Sequence, residues 1–337
     1  MKYAVLYGPR DLRLDEKPVP DIKPGRVLVK IAACGICGTD AHIYTGKIPV
    51  KLPYSPGHEC AGTVHEAGAG VLGVKSGDRV AIDPNHDCGF CYYCRRGYPH
   101  LCENQKTLKV KSNGGFAEYI MVPEKLVHKI PDHVSFQEAA LIETLSCCIH
   151  IIAEAGIRTG DTVAIMGGGA MGLMLVQLAR QKGAGQIVVS EPVEFKRKLV
   201  VELGADRGVD PLNEDLPATV RQMNPYGANV VIEGVGLPAA IEQAFNMLAR
   251  RGTLVLAGLC PENKTVPVCP YRLTRDEINV KGAFLNPFSF ARAIDCLGHI
   301  DKSKLITGTY PLSAVAEAME AAQGGNHVKI VINPDME

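Results

Sequence analysis

The 337-residue chain has no run of eighteen or more apolar residues. Its most hydrophobic stretch, around Met171 to Ala179, is short and entered through glycines, whereas a membrane-spanning helix needs about 20 apolar residues in succession. An apolar leader is missing too: Lys2, Arg10, Asp11, Arg13, Asp15, Glu16 and Lys17 crowd the first twenty positions and leave no room for the core of a secretory signal. Net charge is also absent, with 36 Lys+Arg against 36 Asp+Glu, so no global field draws in nucleic acid or an anionic membrane. There is no internal repeat and no low-complexity segment. These absences lead us to expect a soluble, cytoplasmic protein with a small-molecule ligand, no nucleic-acid partner and no membrane.

What is present suits a folded enzyme-sized chain. At 36.2 kDa it exceeds what one hydrophobic core usually organises, so two domains are expected. Hydrophobic residues make up 46% against 21% charged, which excludes disorder across the chain, and 35 glycines exceed the usual share of about 7%, as a turn-rich globular protein would. Twelve cysteines in so long a chain do not read as a small disulfide scaffold. Four of them fall between Cys88 and Cys102, which points to metal ligation in a reducing compartment.

The grammar changes along the chain. Up to about residue 145 the pattern is short and β-like (Tyr3 to Leu6, Arg26 to Ile31, Cys60 to His65, Arg79 to Ile82, Phe116 to Val122), broken by Gly, Pro and Asp. That half reads as an irregular β-barrel with functional loops. From Asp161 onward apolar strands alternate with helix-length segments, the signature of an α/β doubly wound parallel sheet. Strands are expected at 162–166, 186–190, 229–233, 253–257 and 279–283, with helices at 170–182, 194–203 and 238–248. The last stretch carries an expected helix near 313–323 and a strand at 328–332.

Cys88, Cys91, Cys94 and Cys102 are spaced C-x2-C-x2-C-x7-C. Four thiolates within reach of one loop make a closed tetrahedral site that zinc fills, with no spare coordination position. An iron–sulfur centre begins with the same C-x2-C-x2-C, but there the fourth cysteine follows after three residues and precedes proline; unliganded loop cysteines are the remaining reading. Arg95, Arg96, Lys106, Lys109 and Lys111 around the loop read as a solvated face. Elsewhere Cys37, His58, Glu59 and Glu143 are scattered in sequence, as ligands of a catalytic metal are. Three protein ligands plus water would leave zinc free to polarise a substrate oxygen, while singly each is compatible with a core thiol, a loop histidine or surface carboxylates.

Gly167-Gly168-Gly169-Ala170-Met171-Gly172 follows an apolar strand and opens a helix, the context a dinucleotide-binding turn requires. Gly167, Gly169 and Gly172 take the positions of the turn, the approach to pyrophosphate and the helix–strand packing. Glu191, about 20 residues on, stands where a carboxylate accepts from the ribose hydroxyls and repels a 2′-phosphate, favouring NAD over NADP.

Taken together, Gly-Ile-Cys37-Gly-Thr39-Asp40-Ala-His42, Gly57-His58-Glu59, the four-cysteine loop and Gly167–Gly172 resemble the zinc-dependent medium-chain dehydrogenase/reductase superfamily, along essentially the whole chain. His58-Glu59 with Leu-Ile-Glu143-Thr-Leu-Ser resembles its polyol branch of sorbitol-type dehydrogenases. The resemblance implies a GroES-like catalytic β-barrel at 1–147 carrying both zinc sites, a Rossmann NAD-binding domain at 148–285 and a C-terminal segment at 286–337 that completes the catalytic domain. It implies two zinc ions per chain: a structural one on the four cysteines, and a catalytic one on Cys37, His58 and Glu59 or Glu143, with Asp40 orienting His58. Thr39 would receive the proton of a secondary alcohol and His42 would pass it to solvent, while hydride goes to NAD.

The pattern also departs from the sorbitol-type enzymes, which commonly carry Tyr at the position of Ile43 and an Arg-Tyr pair at Leu285-Asn286. Threonine dehydrogenases share the zinc scheme but usually have Asp at the position of Glu143, so amino-alcohol oxidation is the second expectation. A redox-silent binding protein is a third; such a relative would be expected to lose Cys37, His58 or Thr39. Homodimers or homotetramers are usual in the family.

Overall fold

The computed structural model describes residues 1–107 and 114–336; Lys109 and Lys111 lie outside the described residues. The chain divides into two compact units, one of Met1–Thr144, Phe290–Leu297 and the residues from Leu305, the other of Leu145–Ser289 and Gly298–Lys304.

The first unit is built on a seven-stranded mixed sheet. Its order is Ile306–Pro311, Lys329–Asn333, Arg26–Gly35, Glu59–Ala67, Arg79–Ile82 and Val127–Lys129, with Tyr119–Pro123 also pairing with Arg26–Gly35. Arg26–Gly35 is the hub, antiparallel to three neighbours. Its β-branched and small residues are buried almost throughout rather than alternately, because Val27, Val29 and Ile31 pack into one cluster with Val64, Ile120 and Ile332 while Ala33 packs on the other face with Ala140 and Val331. A separate ribbon, Lys2–Gly8 with Asp11–Glu16, is longer than the sequence pattern suggests: the charged Asp11–Glu16 shows no apolar alternation and pairs because a two-residue turn returns it.

The second unit holds a six-stranded all-parallel sheet in the order Arg207–Val209, Gln186–Ser190, Thr162–Met166, Ala228–Glu233, Leu248–Leu256 and Asn279–Gly282. The chain steps outward from the central strand 162–166, then crosses back to resume on its other side. This is the doubly wound arrangement, with its switch point between 162–166 and 228–233. Thr162–Met166 is buried at every position, as a strand with helices on both faces must be. Helices Ala170–Gln181, Glu194–Glu202 and Pro238–Asn246 follow three of the strands.

Some elements carried no readable signal. Ile142–Ala155 is a 14-residue helix whose Ile-Glu-Thr-Leu-Ser-Cys-Cys-Ile-His-Ile-Ile sequence lacks a one-sided stripe, since it is buried on most sides. The stretch Phe136–Ala155 has the length and hydropathy of a membrane span, but 61% of its apolar window is buried inside the protein, and it carries Glu138, Glu143 and Glu154. It is a core helix.

Candidate active site and metal centres

The hub strand Arg26–Gly35 delivers Cys37. Gly35 pairs with Glu59 across the ladder, and a Cβ at Gly35 would come within 1.9 Å of Oε2 of Glu59, so only glycine lets that carboxylate lie over the strand end. Cys37 then precedes helix Gly38–Tyr44. His58 enters from a turn at Gly57, whose φ of +94° and 2.6 Å approach of an added Cβ to Phe116 N both demand glycine. One ligand atom each from Cys37, His58 and Glu59 falls within 4.8 Å of the others. A thiolate, an imidazole and a carboxylate so grouped suit one zinc ion.

Asp40 ties these parts together. Its fully buried carboxylate accepts the N–H of Cys37 at 3.2 Å and of Gly57 at 3.3 Å, and its Oδ2 lies 3.3 Å from Nδ1 of His58. With Nδ1 directed at this carboxylate, Nε2 is the candidate ligand nitrogen, the arrangement that fixes a ligand tautomer. Thr39 is half-buried in the first turn of the same helix, and His42 is exposed on it; partial desolvation and then the charge of Lys47 lower the pKa of His42.

Two further residues sit in the site that the sequence patterns did not single out. Lys329, in strand Lys329–Asn333, is buried, and its ammonium donates to both oxygens of Glu59 at 2.6 and 2.7 Å. Thr144 donates its hydroxyl to the same carboxylate at 2.9 Å. A lone lysine in the apolar run Val328-Lys329-Ile330-Val331-Ile332 is the signal that would have found the first, since a buried lysine almost always has an anionic partner. Glu143 lies outside the three-atom cluster but is buried. Burial pushes its carboxyl up to about 7, the charge of His58 works against that, and Glu59 adds to it.

The four-cysteine loop closes on itself. Sulfur pairs stand 3.4 Å (Cys91–Cys94), 3.9 Å (Cys91–Cys102) and 4.0 Å (Cys88–Cys94) apart, and all four lie within 4.8 Å of one another. Backbone N–H groups of Cys91 and Asn104 point at the sulfurs of Cys88 and Cys102. Burial opposes the Cys88 thiolate, but N–H donors from Phe90 and Cys91 outweigh it and bring that thiol down to about 6. Burial and then the neighbouring Cys91 push Cys94 up to about 12. Such a cluster of sulfurs needs a cation to hold more than one thiolate.

In the second unit the glycine turn has the form a dinucleotide needs. Gly167 adopts φ +102°, and a Cβ at Gly172 would strike Gly167 O at 1.9 Å, whereas a Cβ at Gly169 would meet nothing within 4 Å. The third glycine serves helix–strand packing; the second faces open space into which a pyrophosphate can come. Glu191 is buried and accepts the N–H of Gly168 at 2.8 Å and of Val193 at 3.0 Å. Departures noted above are placed too: Ile43 lies in the core, and Asn286 donates to Ser146 Oγ at 2.8 Å.

Residues 23–132 match the model of the alcohol dehydrogenase GroES-like domain and residues 170–298 that of the zinc-binding dehydrogenases. Sorbitol dehydrogenase of Bacillus subtilis is 36% identical over 99% of this chain and 98% of its own. The chain belongs to the zinc-dependent medium-chain dehydrogenases. L-threonine 3-dehydrogenase of Caldanaerobacter subterraneus is 34% identical over 95% of this chain and 94% of its own. Among solved structures, a putative zinc-binding dehydrogenase from Sinorhizobium meliloti, bound to NADP, superposes with a TM-score of 0.95 at 36% identity, covering 99% of both chains. This medium-chain dehydrogenase is therefore an oxidoreductase of CH–OH donors that uses zinc and a nicotinamide cofactor, with a GroES-like unit and a Rossmann unit.

Proposed function

We propose that this dehydrogenase oxidises a secondary alcohol of a polyol or sugar-alcohol-like substrate with NAD. The observation that carries the reading is the buried set Cys37, His58 and Glu59 with Glu143 close by. A glutamate at position 143 is the feature that favours polyols over the amino alcohol of the threonine dehydrogenases, which usually have aspartate there. The B. subtilis relative is named for sorbitol.

Cys37, His58 and Glu59 would hold the catalytic zinc, and Cys88, Cys91, Cys94 and Cys102 a structural one, giving two per chain. The catalytic zinc, when bound, polarises the alcohol oxygen and lowers the pKa of what it binds. Asp40 keeps His58 in register, and Lys329 with Thr144 fixes the carboxylate of Glu59. Thr39 would accept the alcohol proton at its hydroxyl while giving up its own to the cofactor's ribose hydroxyl, and His42, with a lowered pKa and an exposed ring, would hand a proton on to solvent. Glu143, uncharged or charged near neutral pH, tunes the acidity at the open side of the metal. NAD supplies the hydride acceptor; Gly169 leaves room for its pyrophosphate, Gly167 makes the turn and Gly172 the helix–strand packing, and Glu191 takes its adenosine ribose. Because both oxygens of Glu191 already accept N–H bonds, the carboxylate is held in place and disfavours a 2′-phosphate.

We further assign self-association to this chain. Strand Asn279–Gly282 ends the parallel sheet with all four residues exposed, and Phe90, Tyr92, Tyr93, Tyr98 and Leu101 are exposed on the cysteine loop; both surfaces suit a second copy, as in a homodimer or homotetramer.

The test is NAD reduction against a panel of polyols, sugar acids, amino alcohols and threonine. Polyols should turn over with NAD, and Glu191→Ser should narrow the preference for NAD over NADP. Turnover of threonine alone would favour the amino-alcohol reading, and equal wild-type use of NADP would remove Glu191 from its role.

A further inference from the structure

Glu233 closes strand Ala228–Glu233 on the far side of the switch point from Glu191, beside Met166 at the end of the central strand. Its side chain is completely buried. Oε1 accepts the N–H groups of Val235 and Gly236, both at 2.8 Å, while Oε2 has no partner among the described residues. Burial raises its carboxyl, against which those two N–H bonds act. Its main-chain carbonyl accepts two more N–H groups, from Ala257 at 2.8 Å and Gly258 at 2.9 Å.

Glu233 therefore fastens two loops at once, those leaving strands 228–233 and 248–256. The loops are pressed together: a Cβ at Gly258 would come 2.3 Å from Gly236 N, and one at Gly236, at φ +77°, 2.5 Å from Leu259 O. A leucine in place of Glu233 would fill the space with no oxygen left unpaired, so the carboxyl is retained for something an apolar side chain cannot do. What it does is hold the backbone N–H groups of Val235 and Gly236.

In a doubly wound sheet the dinucleotide lies across the carboxyl ends of the strands at the switch point. Here the glycine turn takes the pyrophosphate and Glu191 the adenosine side, so the nicotinamide half is directed to the loops that Glu233 fastens. Both loops present apolar side chains to solvent, Val235 and Leu237 on one and Leu259 on the other. We propose that Glu233 is a positioning residue for the nicotinamide half of the cofactor, its carboxyl setting the 234–237 loop beside the 257–259 loop, which its main-chain carbonyl holds, so that their apolar side chains receive the nicotinamide ring. This rests on reading the second unit as the dinucleotide domain.

The test is NADH affinity read from nicotinamide fluorescence, which tryptophan emission does not overlap because the chain has no tryptophan. Glu233→Leu should raise the NADH Kd by about tenfold or more, with the loss falling on the KM for NAD rather than on kcat, and with zinc content and thermal midpoint held. Glu233→Gln keeps an acceptor oxygen for the two N–H groups and should bind NADH within about twofold of wild type. A folded Glu233→Leu with wild-type affinity overturns the proposal, as does a Gln variant as impaired as the Leu variant. A wild type that binds no NADH overturns instead the dinucleotide reading on which it rests. Should the Leu variant not fold, amide exchange in the wild type decides: the Val235 and Gly236 amides should exchange slowly without cofactor, and fast exchange at both would refute the anchor.

Discussion

Lys329 brings an ammonium into the interior against Glu59, both almost fully buried, and a pair so placed is valuable mainly because breaking it strands a charge. Lys329→Met should cost about 3–5 kcal/mol in denaturant unfolding, and wild-type stability in that variant would show that the carboxylate finds other support. Burial works to lower the pKa of Lys329, but the charges of Glu59 and Cys37 outweigh it and the net shift is upward. Its contribution is thus complete below the usual lysine value and fades only as pH rises through the higher folded value, so Lys329 adds no pH dependence near neutrality. Glu143 shifts in the same direction but in a window that reaches neutrality. With its carboxyl raised to about 7, metal-free protein should lose stability as pH rises from the ordinary carboxyl range through 7, and Glu143→Gln should flatten that slope. In the zinc-loaded enzyme the same substitution should lower turnover by about a hundredfold and shift its pH profile while NAD binding persists; normal turnover with an unmoved profile would make Glu143 a bystander. Of these residues, Cys37, His58, Glu59 and Glu143 stand in recognisable motifs. Thr144 stands beside Glu143 in the same motif, where its role shows only in the bond to Glu59, and Lys329 stands in none, because the strand that carries it returns to the site from far along the chain.

At the scale of elements, legibility followed periodicity. The buried parallel strands 162–166 and 186–190 match the expected bounds, since a doubly covered strand reads as a nearly continuous apolar run. Strand Leu248–Leu256 starts five residues before its expected beginning at 253, because Arg250 and Arg251 hide the pairing of Leu248 with Ala228 across an irregular register. Arg207–Val209 and Leu216–Met223 were not expected at all: one is three residues long, and the other relies on Asp215 accepting the Ala218 N–H as a cap. The cysteine loop has almost no regular structure, only Tyr92–Arg95 and Pro99–Leu101 as short turns, so its shape must come from what its sulfurs hold. Cys102→Ser should lower the thermal midpoint by about 5–10 °C while the surviving folded fraction keeps its KM for NAD. An unchanged melting curve with lost turnover would contradict a structural role.

For the whole molecule, the two proposed metal sites rest on two kinds of donor set, and the account depends on both. Four sulfurs within 4.8 Å of one another close a site, whereas Cys37, His58 and Glu59 leave a position for substrate. The most direct measurement is zinc per chain, by elemental analysis, followed through graded chelation with alcohol-dependent NAD reduction monitored in parallel. Two zinc ions per chain are predicted, the first to leave taking the activity with it and returning it when zinc is restored, the second leaving only as the protein unfolds. One zinc per chain, iron in its place, or activity that survives loss of the exchangeable ion would contradict the account.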